Sequence, residues 1–376
     1  MKSKVFAITT RTSFKENMLQ KIGRLLEAVD LKKGVKERDL VAIKLHFGEK
    51  GNTAYIRPIY LRQVVDAVKA LKGLPFLTDA NTLYVGTRSN SSQHLTTAIE
   101  NGFDFSVVGA PLTIADGLKG TSAAEVEINL PLVKTAYIGR DIVEADVLIS
   151  VAHFKLHELG GFGGAIKNTG MGCASRRGKM DQHSGVSPKV KNSKCIACGD
   201  CVANCAHKAI SLVKVNDKKK AKIDPDKCVG CAECILVCPQ QAIQVQWAAT
   251  IPDFMKKMAE YTAACLKGKE KKSFFINFLT QISPACDCYG HADSPLVRDI
   301  GVLASRDPIA LDQASADLLN REPALPGTCL NTNTKAGEDK IRGVYPSIDW
   351  EIQLEHGQEI GLGSRDYELV WLPEKA

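Results

Sequence analysis

Apolar and polar residues alternate along the first half of the chain as strands followed by helices. Short apolar runs at Lys4–Thr9 and Asp39–Phe47 predict strands, and apolar residues at helical spacing over Asn17–Leu31 and Ile59–Leu71 predict helices. Further predicted elements are a strand at Pro75–Asp79, a helix at Ser91–Asn101, an extended segment at Phe105–Val108 and a strand at Asp146–His153. The last is an apolar run, as expected for a strand buried on both faces. The alternation predicts an α/β domain around a largely parallel sheet.

The pattern after residue 248 continues the same domain. Asp253–Leu266 predicts a helix, Ser273–Ile282 an extended segment, and Arg306–Pro308 the start of a helix capped by Asp307. Residues 175–194, rich in Lys, Ser and Gly, are predicted to be a linker or loop. We therefore predict one discontinuous α/β domain, residues 1–190 and 248–376, with a second domain inserted at 191–247. A separate C-terminal domain is the alternative.

Two cysteine runs lie in the inserted segment. Both have the spacing C-x2-C-x2-C-x3-C of bacterial ferredoxins, in which three cysteines ligate one 4Fe–4S cluster and the fourth ligates the other. The spacing therefore predicts a ferredoxin-like α+β domain with two 4Fe–4S clusters. The ligands of one cluster are predicted to be Cys195, Cys198, Cys201 and Cys238. The ligands of the other are predicted to be Cys228, Cys231, Cys234 and Cys205.

Zinc and disulfides are the alternative explanations of these cysteines. Zinc sites favour two CxxC pairs with four ligands in all, which suits eight cysteines in two tandem runs poorly. Disulfides at this density are typical of small secreted domains, whereas this chain has 376 residues and no pattern of an export signal. We therefore expect a cytoplasmic protein, and an anaerobic host because reduced low-potential clusters are sensitive to oxygen.

Charge and composition narrow the expected partners. The formal charge is +7, but eight thiolates and two oxidised cluster cores add roughly −4 and leave about +3. No basic stretch is interleaved with aromatic residues, so nucleic acid is not expected. No run of about 18 apolar residues occurs, so no membrane span is expected. Asp217–Lys220 predicts a solvated hairpin tip; the alternative is a docking patch for an acidic redox partner.

A glycine-rich segment follows the predicted strand Asp146–His153. Glycines let a ligand approach the backbone closely, and a glycine turn that leads into a helix offers N–H groups to an anion. Ligands of open α/β sheets bind beyond the carboxyl ends of strands. The candidate catalytic residues are His46, His153, His157 and Lys167. The candidate cofactor-binding residues are Gly160, Gly161, Gly163 and Gly164. The alternative is a tight turn with satisfied histidines and nothing bound.

Cys286 and Cys288 flank an aspartate. In an extended segment, residues two apart project to the same side, so both thiols could reach one metal or one reactive group. We treat Cys286, Cys288 and Cys173 as candidate ligands of a further metal of unknown identity. The alternative is that the pair acts as small hydrophobic residues. Cys265 and Cys329 have no partner motif and are predicted to be structural.

The chain resembles the uncharacterised iron–sulfur centre proteins of domain-of-unknown-function family 362 over nearly its whole length. The resemblance lies in residues 44–58, 77–88, 153–179, both cysteine runs, 283–288 and 299–314. It implies two 4Fe–4S clusters and an α/β domain, and it implies no reaction. His157, Gly161, Phe162, Gly164 and Lys167 are also similar to the active-site segment of nickel-dependent lactate racemases. That local similarity implies that His157 binds metal or moves a proton and that Lys167 holds an anionic substrate or a cofactor.

These features predict an oxidoreductase whose clusters relay electrons to a substrate or metal site in the α/β domain. A ferredoxin- or flavodoxin-like protein would supply the electrons, and the substrate would be a small molecule. No dinucleotide fingerprint or P-loop is evident, so NAD and ATP are not expected. One alternative is a racemase- or lyase-like enzyme with structural or regulatory clusters. Another is a non-enzymatic electron carrier or metal-handling protein.

Overall fold

The computed structural model describes residues 2–183, 187–228, 230–245 and 251–375. The strands in these residues are β1 (Ser3–Thr9), β2 (Leu40–Lys44), β3 (Leu74–Asp79), β4 (Leu112–Ile114), β5 (Ala123–Glu127), β6 (Thr135–Gly139), β7 (Val147–His153), β8 (Lys155–His157), β9 (Gly161–Gly163), β10 (Lys189–Val190), β11 (Ile210–Val215), β12 (Lys218–Ile223), β13 (Ile243–Gln244), β14 (Ser273–Leu279), β15 (Gly301–Ser305) and β16 (Tyr367–Trp371).

The helices are α1 (Met18–Ala28), α2 (Leu31–Gly34), α3 (Pro58–Ala70), α4 (Ser91–Glu100), α5 (Phe105–Val108), α6 (Arg140–Glu144), α7 (Arg176–His183), α8 (Asp200–Ala203), α9 (Glu233–Leu236), α10 (Ile251–Leu266), α11 (Pro308–Arg321), α12 (Lys340–Val344) and α13 (Ile352–Glu359). A π-helical turn spans Lys167–Met171. No helix in the described part of the chain combines the length and the apolar character needed to cross a membrane.

Eight strands form the main sheet, in the order β16-β1-β15-β14-β7-β2-β3-β4. Only β15 runs antiparallel to both of its neighbours, β1 and β14. The other five pairings are parallel. The prediction of an α/β fold around a largely parallel sheet is therefore confirmed. The sheet also joins strands from both sides of the cysteine runs, because β14, β15 and β16 pair with strands that precede residue 190.

Two apolar cores cover the two faces of the main sheet. Successive residues of a strand point to opposite faces, so Leu148 of β7 packs into one core and Ile149 into the other. Helices α10 and α11 contribute to the first core, and α1 and α3 to the second. All seven residues of β7 are buried. Asp307 caps α11 as predicted, since its carboxylate accepts hydrogen bonds from the N–H groups of Ile309 and Ala310.

Two predictions of local structure are wrong. Phe105–Val108, predicted to be extended, forms α5, because Asp104 caps its first turn and Gly109 closes it with a φ of +76°. Part of the predicted linker 175–194 forms α7, in which Arg176, Lys179 and Gln182 are buried rather than solvated. Arg176, for example, is completely buried and its Nε donates to the Thr82 carbonyl at 3.4 Å. Contacts with other parts of the fold thus stabilise this helix, although its composition is typical of a loop.

Residues 189–245 form a small unit of two strand pairs and two short helices, which we call the cysteine unit. Its first and last strands, β10 and β13, pair with each other, so the chain enters and leaves at adjacent points. Strands β11 and β12 form a hairpin whose turn is Asn216–Asp217, so the predicted lysines begin the second strand. The predicted boundary between residues 247 and 248 lies outside the described residues.

The internal repeat of the cysteine unit extends to its backbone conformation. Residues 33 positions apart share the left-handed conformation in three cases. These pairs are Ala197 and Gly230, Gly199 and Ala232, and Lys208 and Gln241. Helices α8 and α9 are separated by the same interval. Each half of the unit therefore builds its cysteine loop in the same way.

Candidate functional site

The eight cysteines of the two runs line two separate pockets in the cysteine unit. The residues of the first pocket, which we call pocket I, include Cys195, Cys198, Cys201 and Cys238. The residues of the second, pocket II, include Cys205, Cys228, Cys231 and Cys234. Each pocket combines three thiols from one run with the fourth thiol of the other. Ligation of iron by these thiols stays a prediction.

The surroundings of the thiols suit a metal cluster in chemical terms. Backbone N–H groups point at three of the sulfur atoms: Ala209 at Cys205, Ala221 at Cys195 and Ala242 at Cys238, with N–S distances of 3.2–3.4 Å. Such hydrogen bonds stabilise thiolate charge and help to set cluster potentials. No three His, Cys, Asp or Glu side chains in the described ranges are gathered closely enough to hold a metal ion.

A second candidate site lies at one edge of the main sheet. Strands β14, β7, β2 and β3 are neighbours and parallel, so their carboxyl ends meet there. The chain order reverses between β2 and β7, which makes this a topological switch point, where open α/β sheets bind ligands. Lys44, Asp79 and His153 end three of these strands, and Cys286–Cys288 follow the fourth. We call this region the sheet-edge site.

His153, Asp287 and Lys155 form a buried polar group in the sheet-edge site. His153 Nδ1 lies 2.9 Å from Asp287 Oδ1, and its Nε2 lies 2.9 Å from the carbonyl oxygen of Thr280. Lys155 Nζ lies 3.3 Å from Asp287 Oδ2 and donates to the His153 carbonyl at 2.9 Å. Burial raises the pKa of Asp287, but the charges of His153 and Lys155 outweigh it and hold the pKa below its ordinary value. His153 therefore orients Asp287 inside the protein.

Lys167 lies beside the paired cysteines. Cys286 and Cys288 are joined by a disulfide bond. Lys167 Nζ lies 3.0 Å from Cys286 Sγ and 3.8 Å from Cys288 Sγ. Burial, together with the charge of Lys155, lowers the pKa of Lys167 to about 7. The structure thus brings three of the predicted residues, Lys167, Cys286 and Cys288, into contact.

His157 and His46 both have a pKa well below the ordinary value for histidine. His157 Nδ1 accepts hydrogen bonds from the N–H groups of Leu159 and Gly160, each at 3.1 Å. Burial and the charge of Lys167 lower the pKa of His157 well below its ordinary value, so the ring is neutral with its proton on Nε2. Burial and the charge of Arg88 likewise lower the pKa of His46 well below its ordinary value. Their catalytic roles stay predictions.

The predicted cofactor-binding glycines allow close packing. The N–H groups of Ala165 and Ile166 donate to the carboxylate of Asp312 at 2.7 and 2.9 Å, so these donors are already used. A Cβ atom on Gly164 would lie 2.2 Å from Asp312 Oδ1, and one on Gly161 would lie 2.3 Å from the Trp350 side chain. A Cβ atom on Gly160 would meet a milder constraint, at 3.3 Å from the Phe162 carbonyl oxygen. Binding of a cofactor by these glycines stays a prediction.

Gly163 has a different role in the packing. A Cβ atom at this position would lie 3.0 Å from Lys167 Cδ and 3.5 Å from Lys155 Cε. The missing side chain therefore leaves room for the stems of two lysines that repel each other. This glycine is the one among the four that directly shapes the sheet-edge site.

Cys173 lies apart from Cys286 and Cys288. Its thiol shares a hydrogen bond with Cys265, and the two residues are buried in the same core. Burial raises the pKa of Cys173, but Cys265 and the charge of Lys44 outweigh it and lower the pKa. Cys265, predicted to be structural, thus packs beside Cys173 in this core. The three candidate ligands of a further metal are therefore not brought together as a set.

Sequence reasoning missed a second buried charge network at the same edge. Lys44 Nζ lies 3.0 Å from Asp79 Oδ1, and Arg88 lies 3.1 Å from Glu49 and 3.4 Å from Asp79. Burial raises the pKa of Asp79, but Lys44 outweighs it and holds the pKa well below its ordinary value. The sequence did contain a sign of this network, since Lys44 lies within one predicted apolar strand and Asp79 ends another, where a charge is unexpected.

Contacts connect this network to the cysteine unit. The Tyr84 hydroxyl accepts a hydrogen bond from Arg88 at 2.8 Å and donates to the Cys288 carbonyl at 3.1 Å. The preceding residue, Leu83, packs in the same apolar cluster as Cys234 of pocket II. The buried Arg176 pairs with Glu233, next to Cys234, at 3.0 Å. Pocket II is therefore the pocket that faces the α/β part of the chain.

Fold and site define an α/β protein with a buried, charged site at the carboxyl edge of its sheet and an added cysteine unit. The chain belongs to the family described as Domain of unknown function (DUF362), which matches residues 41–317. The resemblance to this family seen in the sequence is confirmed over these residues.

Among solved structures, the lactate racemase apoprotein from Thermoanaerobacterium thermosaccharolyticum is similar at 14% identity with a TM-score of 0.39. The match covers 86% of this chain and 59% of that one. A search of curated proteins finds no match.

Proposed function

We propose that the protein is an iron–sulfur oxidoreductase whose two 4Fe–4S clusters carry electrons to the sheet-edge site. The observation that carries this proposal is the lining of pockets I and II, where each run of cysteines contributes three thiols to one pocket and one to the other. This interleaving is how two-cluster ferredoxins hold their clusters. Two clusters held in this way would lie in adjacent positions within one small unit.

Electrons enter at pocket I. The hairpin β11–β12 runs along this pocket, and Ala221 N donates to Cys195 Sγ at 3.4 Å. Exposed lysines line the hairpin, and Cys198 is exposed as well. These lysines are Lys214, Lys218, Lys219 and Lys222. A positive surface beside an exposed cluster attracts an acidic one-electron donor, which is the chemistry of ferredoxin- and flavodoxin-like proteins.

Electrons leave from pocket II toward the sheet-edge site. Leu83 packs against the cysteine unit, and the next residue, Tyr84, donates a hydrogen bond to the carbonyl of Cys288. The ion pair of Arg176 with Glu233 supports this interface. A small anionic substrate suits the site, because Lys167 and Lys155 lie side by side in it.

The test is anaerobic purification followed by iron and sulfide counting and paramagnetic resonance of the reduced protein. We expect about eight iron and eight sulfide ions per chain, falling by about half in Cys198→Ala. Cys329→Ser, which changes an exposed cysteine outside both pockets, is the matched control and retains the full content. A protein that binds zinc and contains no acid-labile sulfide would overturn the proposal.

A second candidate function is proton transfer without electron transfer, as in a racemase or lyase. It is favoured by the lowering of the Lys167 pKa to about 7, which suits a general acid or base at neutral pH. Turnover of a 2-hydroxy acid that persists with both clusters held oxidised would support this function over the first.

A further inference from the structure

We propose that Cys286 and Cys288 are a redox-active dithiol–disulfide pair, which the clusters reduce and which in turn reduces a disulfide substrate. The inference rests on the proposed function, because the clusters supply the electrons. It names the electron acceptor within the sheet-edge site and the chemical class of the substrate.

A purely structural role explains this bond poorly. The two cysteines are separated by two positions, with Cα atoms 5.1 Å apart. The stabilisation from a disulfide grows with the length of the loop that it closes, and this loop is about as short as a loop can be. The bond does not connect separate elements of the fold. It lies at the carboxyl edge of the sheet, where α/β folds carry their reactive groups.

The surroundings of the pair suit thiolate chemistry. A neighbouring cation stabilises a thiolate, and Lys167 Nζ is 3.0 Å from Cys286 Sγ. Asp287, between the cysteines, would repel a thiolate, but its charge is matched by His153 and Lys155. Cys286 is completely buried, whereas Cys288 is half-buried. Cys288 is therefore the sulfur that a substrate reaches, and Cys286 is the resolving thiol.

The number of electrons that the two clusters carry equals the number needed to reduce the cysteine pair. Reduction breaks the Cys286–Cys288 bond and consumes two electrons and two protons to give two thiols. Each 4Fe–4S cluster carries one electron, so two reduced clusters hold the two electrons that one disulfide needs. The electrons originate from the acidic one-electron donor. Lys167 supplies one proton from its ammonium group, and solvent supplies the other.

The second half of the cycle is thiol–disulfide exchange. The Cys288 thiolate attacks a substrate disulfide, forms a mixed disulfide and releases one substrate thiol. Cys286 then attacks Cys288 Sγ, which breaks the mixed bond, restores the Cys286–Cys288 bond and releases the second substrate thiol. Electrons and protons balance over the cycle, and the donor is the only reductant consumed.

The first experiment is an anaerobic reductive titration of the cluster-loaded protein with dithionite, followed by alkylation and mass spectrometry of the peptide that contains both cysteines. We expect wild type to take up about four electron equivalents, two in the clusters and two in the pair, and Cys286→Ser about two. Cys329→Ser is the control and behaves as wild type. In Cys231→Ser, which lacks a ligand of pocket II, dithionite reduces the pair more slowly, whereas dithiothreitol reduces it as in wild type.

The second experiment uses oxidised glutathione as the probe disulfide. Cys286→Ser is expected to accumulate one glutathione on Cys288, because the resolving thiol is missing. Cys288→Ser is expected to accumulate none on the buried Cys286.

The outcomes separate this inference from the proposed function. If both clusters become reduced and the 286–288 peptide still contains its disulfide or never contains one, the inference fails and the iron–sulfur function stands. Equal electron uptake by wild type and Cys286→Ser would also overturn the inference. If the purified protein contains no iron and no sulfide, the proposed function fails and the inference fails with it.

Discussion

Lys167 Nζ lies 3.0 Å from Cys286 Sγ, although 119 positions separate the two residues in the chain. Lys167 starts the π-helical turn that follows β9, and Cys286 belongs to the segment after β14. The contact exists because β7 and β14 are parallel neighbours, so the segments that follow them emerge at the same edge. The order of the strands in the sheet therefore brings Lys167 next to Cys286.

Replacing Lys167 should slow reduction of the cysteine pair. Lys167→Met keeps the length of the side chain and removes both the charge and the proton. Since a positioned acid contributes roughly 100-fold or more to a proton-transfer step, we expect reduction by dithionite to slow by about that factor. Alkylation at timed intervals followed by mass spectrometry measures the rate. Cluster reduction serves as the internal control, and an unchanged rate of pair reduction would contradict a role for Lys167.

The rate of pair reduction should depend on pH through Lys167. Its pKa is lowered to about 7, so the ammonium form that donates a proton predominates below pH 7 and is lost above it. We therefore expect the rate to fall as pH rises through 7. The charged and titratable groups that face Lys167 are Lys155, His157, Glu158, Asp287, Arg88 and His183.

Lys167→Arg provides the control for this pH profile. A guanidinium keeps its proton throughout the accessible range, so the fall near pH 7 should disappear in the variant. A fall of the same size at the same pH in both proteins would assign the titration to another group.

Asp287→Asn should destabilise the fold. The change leaves the buried His153 and Lys155 without their shared counter-ion, and removal of one partner of a buried ion pair costs about 3–5 kcal/mol. Chemical unfolding of the anaerobic holoprotein measures the loss. Asp217→Asn, in an exposed hairpin turn, is the matched control and should change stability by less than about 0.5 kcal/mol. Equal midpoints for the two variants would show that the buried group contributes nothing.

The same carboxylate sets a pH dependence of stability. The pKa of Asp287 is lowered in the folded state, so the unfolded chain binds more protons than the native protein in acid. The contribution to stability is present above the ordinary carboxyl pKa of about 4 and is lost as pH falls below it. Asp287→Asn should therefore show a weaker loss of stability between about pH 4 and pH 2 than wild type.

Removing the hairpin lysines should weaken electron delivery. A variant with Lys214, Lys218, Lys219 and Lys222 changed to Gln loses the positive surface beside pocket I. We expect reduction by a ferredoxin-like donor to slow by about 10-fold or more at low salt, and the difference to shrink at high salt. Stopped-flow absorbance measures it. Glutamine at Lys32 and Lys33, exposed lysines of α2, is the matched control; equal slowing there would contradict docking at the hairpin.

The local patterns of the chain were sufficient for most elements of the sheet. The largely apolar run at Val147–His153 formed a fully buried strand, and Asp307 capped a helix, because neighbouring residues decide both features. The structure of short segments was harder to predict from the sequence. In Phe105–Val108 the four residues carry no period, and a cap at Asp104 with a glycine at 109 decided the outcome. In α7 burial of arginine and lysine overrode a composition typical of loops.

In the candidate site, too, the sequence predicted some features and not others. The ferredoxin spacing divides the eight thiols into two sets of four, with three from one run and the fourth from the other. Pockets I and II contain these two sets. The sequence was also enough to single out Lys167, Cys286 and Cys288 as residues of interest. Spacing did not predict the ion pair between Lys44 and Asp79, because these two residues come from different strands.

The sequence by itself determined the α/β pattern and the candidate residues of this protein, because cysteine spacing, strand alternation and helix caps are set by residues a few positions apart. Only the tertiary structure decided where those residues are assembled. The positions of Asp287 between His153 and Lys155, of Asp312 on the N–H groups beside Gly164 and of Lys167 beside Cys286 all depend on which strands become neighbours. Strand order follows from burial of both faces of the sheet, which is a property of the whole chain.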